Sequence, residues 1–246
     1  MLRVLRAEFL KLRRARVLIW TAVVAVFFAG MTGWGSGIWS PDAPATWEAT
    51  LGGGTMFMAG WWGVLAFSLA AAHLFGAEFS DGTVASIFTT PIRRECFAIA
   101  KLVVLAVWVL ALTLLSVGAL MAVATLQGAS GFSWALVRTS LSDSLVVALL
   151  LYLTLPIVAF VSMLGRGYLA PMLFASAMMT ASWTCGFLGW ARWFPWAMPA
   201  TIAGGMGPPS LFDAELTTGS WATILGLFGL GLVAVLLYMR DPGNAQ

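Results

Sequence analysis

Residues Leu102 to Thr125 read LVVLAVWVLALTLLSVGALMAVAT, without one Asp, Glu, Lys or Arg. An α-helix needs about 20 predominantly apolar residues to cross the hydrocarbon core of a bilayer. One charged side chain at the middle of such a helix costs roughly 2.5–3.5 kcal/mol on insertion scales. A run of this length without charge therefore indicates a transmembrane helix.

Further apolar runs of the same kind lie on both sides of this stretch. None of them contains Asp, Glu, Lys or Arg. The six predicted spans are residues 17–34, 55–75, 102–125, 145–164, 168–188 and 221–239. Charged residues make up only 9% of the chain and the mean hydropathy is +0.93, whereas a soluble domain carries about 25% charged residues. We predict an all-α integral membrane protein with six transmembrane helices in a single domain, residues 1–246.

The basic residues predict the orientation of these helices. Cytoplasmic loops of membrane proteins are enriched in Lys and Arg. If the N-terminus is inside, only Arg138 and Arg192 fall on the outer side, and the inner segments hold Arg3, Arg6, Lys11, Arg13, Arg14, Arg16, Arg93, Arg94, Lys101, Arg166 and Arg240. We therefore expect both termini in the cytoplasm. Because the basic residues flank apolar runs and form no stripe, the net charge of +3 does not indicate nucleic-acid binding.

The first sixteen residues, MLRVLRAEFLKLRRAR, form a second pattern. Leu2, Leu5, Phe9 and Leu12 recur at helical spacing, and charged residues largely fill the rest of the helical wheel. We expect an interfacial amphipathic helix on the inner leaflet, with its cations near anionic headgroups. The alternative is a mere orientation signal. The residues assigned to this helix are Leu5, Glu8, Phe9, Lys11, Leu12, Arg13 and Arg14.

The predicted cytoplasmic loop at residues 76–99 concentrates charge in a chain that has little elsewhere. Ser80 can cap a short helix running through Val84–Phe88, and Pro91 would end it. The residues singled out there are Glu78, Asp81, Gly82, Thr83, Pro91, Arg93 and Arg94. The alternative is an ordinary connecting loop whose charges keep it soluble.

This loop resembles the signature of type-2 ATP-binding-cassette (ABC) transporter permeases, the small bacterial six-span kind. The matching features are Glu78, Gly82-Thr83, Pro91, Arg93 or Arg94, and Lys101, together with an N-terminal stretch that contains Glu8 and Lys11. The resemblance implies that the loop is a coupling helix seated in a groove on a separate ATPase subunit. It also implies two ATPase copies, a second six-span permease in a homo- or heterodimer, and a location in the bacterial inner or plasma membrane.

The chain itself lacks the groups that would make it an enzyme. It has no G-x-x-x-x-G-K-[ST] phosphate loop, so we expect ATP and Mg on the partner subunit and no cofactor here. One histidine, His73, and two cysteines, Cys96 and Cys185, provide neither a catalytic constellation nor a metal site. The cysteines are predicted near opposite membrane faces, too far apart for a disulfide.

Candidate pathway residues lie on the second and fifth predicted spans. Methionine and aromatic side chains adapt to varied apolar ligands, although packing or lipid contact explains any one of them equally well. These candidates are Met56, Phe57, Trp61, Met178, Met179 and Trp183. Because proton- or ion-coupled transport normally requires ionisable residues within the membrane, the uncharged spans argue against a secondary transporter. We read His73 as a hydrogen-bonded or solvated residue at a span end.

The segment at 189–219 is too polar and proline-rich to span, yet too aromatic for a free loop. We predict a re-entrant or interfacial element there, and a kink in the fourth span at Pro156. The uncharged spans favour a hydrophobic or amphipathic cargo. The resemblance implies the permease subunit of an exporter of such compounds, for example antibiotics, peptides or lipids. The alternative is a non-transporting membrane scaffold or sensor that recruits a cytoplasmic partner.

Overall fold

A computed structural model describes residues 2–12, 15–39, 45–80, 94–204, 212 and 215–240. Every regular element in this part of the chain is helical, which confirms the all-α prediction. The elements are α1 (Leu2–Leu12), α2 (Arg16–Trp39), α3 (Trp47–Phe57), a π-turn (Met58–Trp62), α4 (Gly63–Ser80), α5 (Arg94–Leu126), α6 (Trp134–Leu164), α7 (Leu169–Phe187), a 3₁₀ turn (Ala191–Trp193), α8 (Met198–Gly204) and α9 (Thr218–Arg240).

Two helices begin well before the apolar runs that predicted them. α3 begins at Trp47 because the Thr46 side chain caps it, accepting a hydrogen bond of 3.2 Å from the Ala49 amide. α6 begins at Trp134 because the Ser133 side chain caps it: the Ser133 hydroxyl accepts a hydrogen bond of 3.2 Å from the Ala135 amide. Residues 47–54 and 134–144 are therefore helical, although they precede the predicted membrane spans. Hydropathy located the apolar runs, whereas the capping residues determine where the helices begin.

Four helices in the described residues are long and apolar enough to cross a membrane, and they are Trp47–Ala77, Glu95–Leu126, Trp134–Leu164 and Thr218–Arg240. Leu5–Lys11 and Arg16–Thr32, bent by 70° from each other, make a fifth if the pair is counted as one span. α7, the predicted fifth span, is helical, but its serines, threonines and Pro171 lower its hydropathy. The structure thus supports four or five crossings, and the count of six stays a prediction.

α6 lies at the centre of the described bundle and packs against α4, α5, α7, α8 and α9. Its contact with α9 depends on Gly231: a Cβ atom there would lie 2.6 Å from the Ile157 amide nitrogen and 2.9 Å from the Pro156 carbonyl carbon. Small residues permit such backbone approach between membrane helices, where lipid supplies no hydrophobic drive for association. Pro156 itself lies inside α6, which remains helical to Leu164.

Contacts between helix ends join segments that the charge analysis assigns to one side. At the predicted outer side, the Trp47 amide donates to the Ser130 carbonyl at 3.0 Å, and the Ser130 amide donates to the Ala45 carbonyl at 2.9 Å. At the predicted inner side, the Arg240 guanidinium pairs with the Glu95 carboxylate, so the end of α9 meets the start of α5. These contacts are compatible with the predicted alternation of helices.

Candidate functional site

The amphipathic helix α1 packs, through an unexpected face, against the end of the bundle that is predicted to be cytoplasmic. Leu5 packs against the main hydrophobic core, and Glu8, next to it on the helix, is 1% exposed. Phe9 and Leu10 are 37% and 58% exposed. Glu8 is therefore buried, although it belongs to the charged residues that largely fill the polar part of the predicted helical wheel. Glu8 lies three residues after Leu5, so it shares that side of the helix.

The buried Glu8 carboxylate meets a buried lysine from another helix. Its Oε2 atom lies 3.7 Å from Nζ of Lys101 on α5, a side chain that is only 2% exposed. Its Oε1 atom accepts a hydrogen bond of 2.8 Å from Nζ of Lys11, which is on α1 itself and largely exposed. The two oxygens therefore have different partners, one within α1 and one across the helix interface.

Lys101 also reaches the second helix that flanks the predicted coupling loop. Its ammonium donates a hydrogen bond to the Leu74 carbonyl of α4 and lies 5.7 Å from the centre of the Phe75 ring. A buried charge is costly unless it is paired and hydrogen-bonded, and these contacts satisfy both requirements. We call Glu8, Lys101 and the Leu74 carbonyl the inner junction. It connects α1, α4 and α5.

The inner junction lies close to the two helix ends that the predicted coupling loop joins. α4 ends at Ser80 and α5 begins at Arg94, with the backbones of Glu78 and Arg94 at these helix ends. The remaining predicted coupling residues, Asp81, Gly82, Thr83, Pro91 and Arg93, lie outside the described residues, as do Arg13 and Arg14 of the N-terminal stretch. Their contact with an ATPase stays a prediction.

A second site lies where the helix from Trp47 to Ser80 changes its winding. The π-turn Met58–Trp62 lies between two α-helical segments, and such single-turn insertions often mark functional sites. Across this turn, the Nε1 atom of Trp183 on α7 donates a hydrogen bond of 3.2 Å to the Gly60 carbonyl. A Cβ atom at Gly60 would lie 3.2 Å from the Trp183 ring, so glycine permits the indole to lie against the turn.

The structure brings together two of the six predicted pathway residues. The rings of Trp61 and Trp183 lie 5.4 Å apart at a tilt of 49°, and Trp61 is 42% exposed. Phe57 is also exposed, whereas Met56, Met178 and Met179 are partly buried and pack against the core. We call Phe57, Trp61 and Trp183 the aromatic cleft. Their role in transport stays a prediction.

Sequence reasoning missed the contribution of the segment before α9. Phe212, from the stretch predicted as an outer element, packs edge-to-face on Trp183 with ring centres 5.3 Å apart. Trp196 is 5% exposed, and its carbonyl accepts the Ser182 hydroxyl at 3.0 Å. This segment therefore packs against α7 and the Trp183 ring of the aromatic cleft. Its aromatic content was the available signal, but sequence does not show which helix it packs against.

The single histidine and the two cysteines lie outside the inner junction and the aromatic cleft. Nδ1 of His73, near the end of α4, shares a hydrogen bond of 2.7 Å with the Tyr168 hydroxyl just before α7, and the two rings stack. This matches the interpretation of His73 as a hydrogen-bonded end residue. Cys96 and Cys185 are free thiols on α5 and α7.

Comparison with known proteins shows where this architecture belongs. A family model described as ABC-2 family transporter protein matches residues 4–182, from the amphipathic helix to α7. The bacitracin transport permease protein BCRB of Bacillus licheniformis is 22% identical over 200 residues, which are 81% of this chain and 94% of that protein. Because the family match covers well over half of the sequence, the chain belongs to the ABC-2 family of transporter proteins.

Proposed function

We propose that the chain is the membrane subunit of an ABC exporter that moves hydrophobic or amphipathic compounds outward, with an amphipathic peptide antibiotic as the favoured cargo. Membership of the ABC-2 family makes it a transport permease with several apolar helices and implies an ABC ATPase partner in general. The direction of transport, the cargo and the residues that bind it are parts of the proposal.

The observation that carries the cargo class is the aromatic cleft. Trp61 and Phe57 expose ring surface, and the Trp61 ring lies against that of Trp183. No Asp, Glu, Lys or Arg occurs from Thr50 to Ala77 or from Tyr168 to Trp190. An uncharged aromatic surface favours ligands that bury apolar area, because ring faces offer dispersion contact and no counter-ion. The relative from Bacillus licheniformis is a bacitracin transport permease protein, which agrees with a peptide cargo of amphipathic character.

The proposed assembly places two such subunits in a bacterial inner or plasma membrane, as a homo- or heterodimer, with two ATPase subunits on the cytoplasmic side. ATP and Mg bind the ATPase, and the loop at 76–99 seats on it. ATP-driven closure of the ATPase pair displaces this loop, and α4 and α5 carry the displacement into the membrane because they flank it.

Reconstitution tests this proposal. The chain and its cognate ATPase are placed in inside-out proteoliposomes, and ATP-dependent accumulation of fluorescently labelled bacitracin is measured. An ATPase without its phosphate-loop lysine provides the background. We expect Trp61→Ala to lower accumulation about tenfold, the loss of roughly 1.4 kcal/mol of favourable interaction. The matched control is Trp20→Ala, which removes a tryptophan that is 65% exposed on α2.

The outcomes separate the two functions considered. Accumulation that requires ATP and Trp61 supports an exporter with its cargo at the aromatic cleft. Stable association with the ATPase, but no accumulation and no stimulation of ATP hydrolysis by any amphipathic peptide, supports the scaffold or sensor instead. Equal losses from Trp61→Ala and Trp20→Ala would place the cargo elsewhere.

A further inference from the structure

The inner junction is more than a stabilising contact of one helix with another. Lys101 lies seven residues after Arg94, where α5 begins, and Leu74 lies six residues before Ser80, where α4 ends. The predicted coupling loop joins those two ends. Any displacement of the loop therefore reaches Lys101 and Leu74 within about two helical turns.

We propose that Glu8 and Lys101 are positioning residues for energy coupling: the ion pair makes α1 move together with the inner ends of α4 and α5 when the ATPase displaces the loop. This inference rests on the proposed function and deepens it. It adds α1 to the moving unit and names the two side chains through which the motion passes.

The geometry favours coupling over simple cohesion. Replacing both members of a buried ion pair by apolar residues of similar size is often neutral or even stabilising. The stability of the fold alone therefore does not require two charges here. An ion pair with a directed hydrogen bond to Leu74 differs from apolar packing because it is sensitive to position. Sliding α1 along α5 would separate the carboxylate from the ammonium and leave both charges buried.

The contacts of Glu8 also provide a matched control. Lys11 pairs with the same carboxylate, but it belongs to α1 and its side chain is 56% exposed. Its replacement removes a positive partner of Glu8 that lies on α1 itself, and it leaves the contact of Glu8 with Lys101 in place. A role in coupling predicts that Lys101 matters and Lys11 does not, whereas a purely local role of the Glu8 charge predicts similar effects.

The test uses the complete complex with its ATPase in proteoliposomes. The measured quantity is labelled bacitracin transported per ATP hydrolysed, beside the hydrolysis rate and the amount of ATPase that co-purifies. The variants are Glu8→Gln, Lys101→Met, their double mutant, Lys101→Arg and Lys11→Gln. The double mutant removes both buried charges, so it remains informative if a single variant, with one charge left uncompensated, fails to fold.

We expect the double mutant to transport about fivefold to tenfold less per ATP, within the range by which mutations in coupling networks act. Co-purification and hydrolysis should stay within about twofold of wild type, as should all readouts for Lys11→Gln. Lys101→Arg, which keeps the charge and donors, should recover most of the coupling. A double mutant with unchanged transport per ATP, or one that loses ATPase association in parallel with transport, overturns the inference.

A readout without cargo separates this inference from the proposed function. Hydrogen–deuterium exchange of α1 amides is compared in the nucleotide-free complex and with vanadate-trapped ATPase. The inference predicts a nucleotide-dependent change in α1 that Lys11→Gln keeps and the double mutant loses. If the wild type hydrolyses ATP but accumulates no bacitracin, bacitracin is not the cargo. The hydrogen–deuterium exchange of α1 still tests the role of the inner junction in that case. A nucleotide-dependent change in α1 exchange that is equal in the wild type and the double mutant contradicts the proposed role of the ion pair.

Discussion

The indole nitrogen of Trp183 donates a hydrogen bond to the Gly60 carbonyl at 3.2 Å, across 123 residues of sequence. Two local features make this contact possible. The π-turn Met58–Trp62 interrupts the regular winding around Gly60, and the missing side chain at Gly60 leaves space for the ring. The contact orients Trp183 against Trp61 and thereby forms the aromatic cleft on which the proposed cargo site depends.

Replacing Trp183 by phenylalanine should keep a ring in the cleft and lose the hydrogen bond. We expect the variant to unfold more easily by about 1 kcal/mol, the usual net worth of one hydrogen bond, because the Gly60 carbonyl loses its donor. Thermal unfolding in detergent measures this, and ATP-dependent bacitracin accumulation measures function. Trp190→Phe, at a position 63% exposed, is the control and should change neither. Equal behaviour of the two variants would contradict a role for the hydrogen bond.

Removing one partner of the buried Glu8–Lys101 pair should lower the free energy of unfolding far more than removing one partner of an exposed ion pair. Glu8→Gln leaves the Lys101 ammonium buried beside a neutral amide, and loss of one buried partner typically costs about 3–5 kcal/mol. Glu95→Gln breaks the ion pair of Glu95 with Arg240, in which both side chains are substantially exposed. Exposed ion pairs contribute about 0–1 kcal/mol to stability. Denaturation of the two variants in the same detergent compares the costs. Similar losses would mean that the junction is solvated in the protein.

The contact of α9 with α6 predicts opposite effects for two nearby glycines. A Cβ at Gly231 would lie 2.6 Å from the Ile157 nitrogen, so Gly231→Ala forces the helices apart and should destabilise by about 1–3 kcal/mol. Gly229 has nothing within 4 Å of the corresponding position. Gly229→Ala should be neutral or stabilising by up to about 1 kcal/mol, because alanine favours the helix. Thermal unfolding of the pair gives the sign directly, and destabilisation by both would contradict the packing.

Cysteine labelling tests whether α7 crosses the membrane. In a background without Cys96 and Cys185, single cysteines replace Arg166 and Trp190, exposed residues on either side of α7. The predicted orientation places Arg166 inside and Trp190 outside, so a membrane-impermeant maleimide should label only the second in intact cells. Permeabilised cells, where both should react, provide the control. Labelling of both positions, or of neither, in intact cells would remove the fifth predicted span.

The positions of the helices were largely evident from sequence, and their first residues were not. The apolar run 102–125 lies wholly within α5, because hydropathy is carried by consecutive residues and needs no knowledge of distant contacts. The starts of α3 and α6 depend instead on single capping residues, Thr46 and Ser133, which hydropathy does not register. The resemblance of the loop at 76–99 to the type-2 ABC permease signature also indicated the family before any contact was known.

Only the tertiary structure decided which side chains meet. The helical wheel of α1 counts Glu8 among the charged residues, yet Glu8 is buried because Lys101 of α5 lies beside it. Trp183 was one candidate among several, and only the packing of α7 on the π-turn distinguished it from Met178 and Met179. The physical reason is the same in both cases. Burial in the bilayer depends on the residues of one segment, whereas a specific contact depends on how two segments far apart in the chain are placed relative to each other.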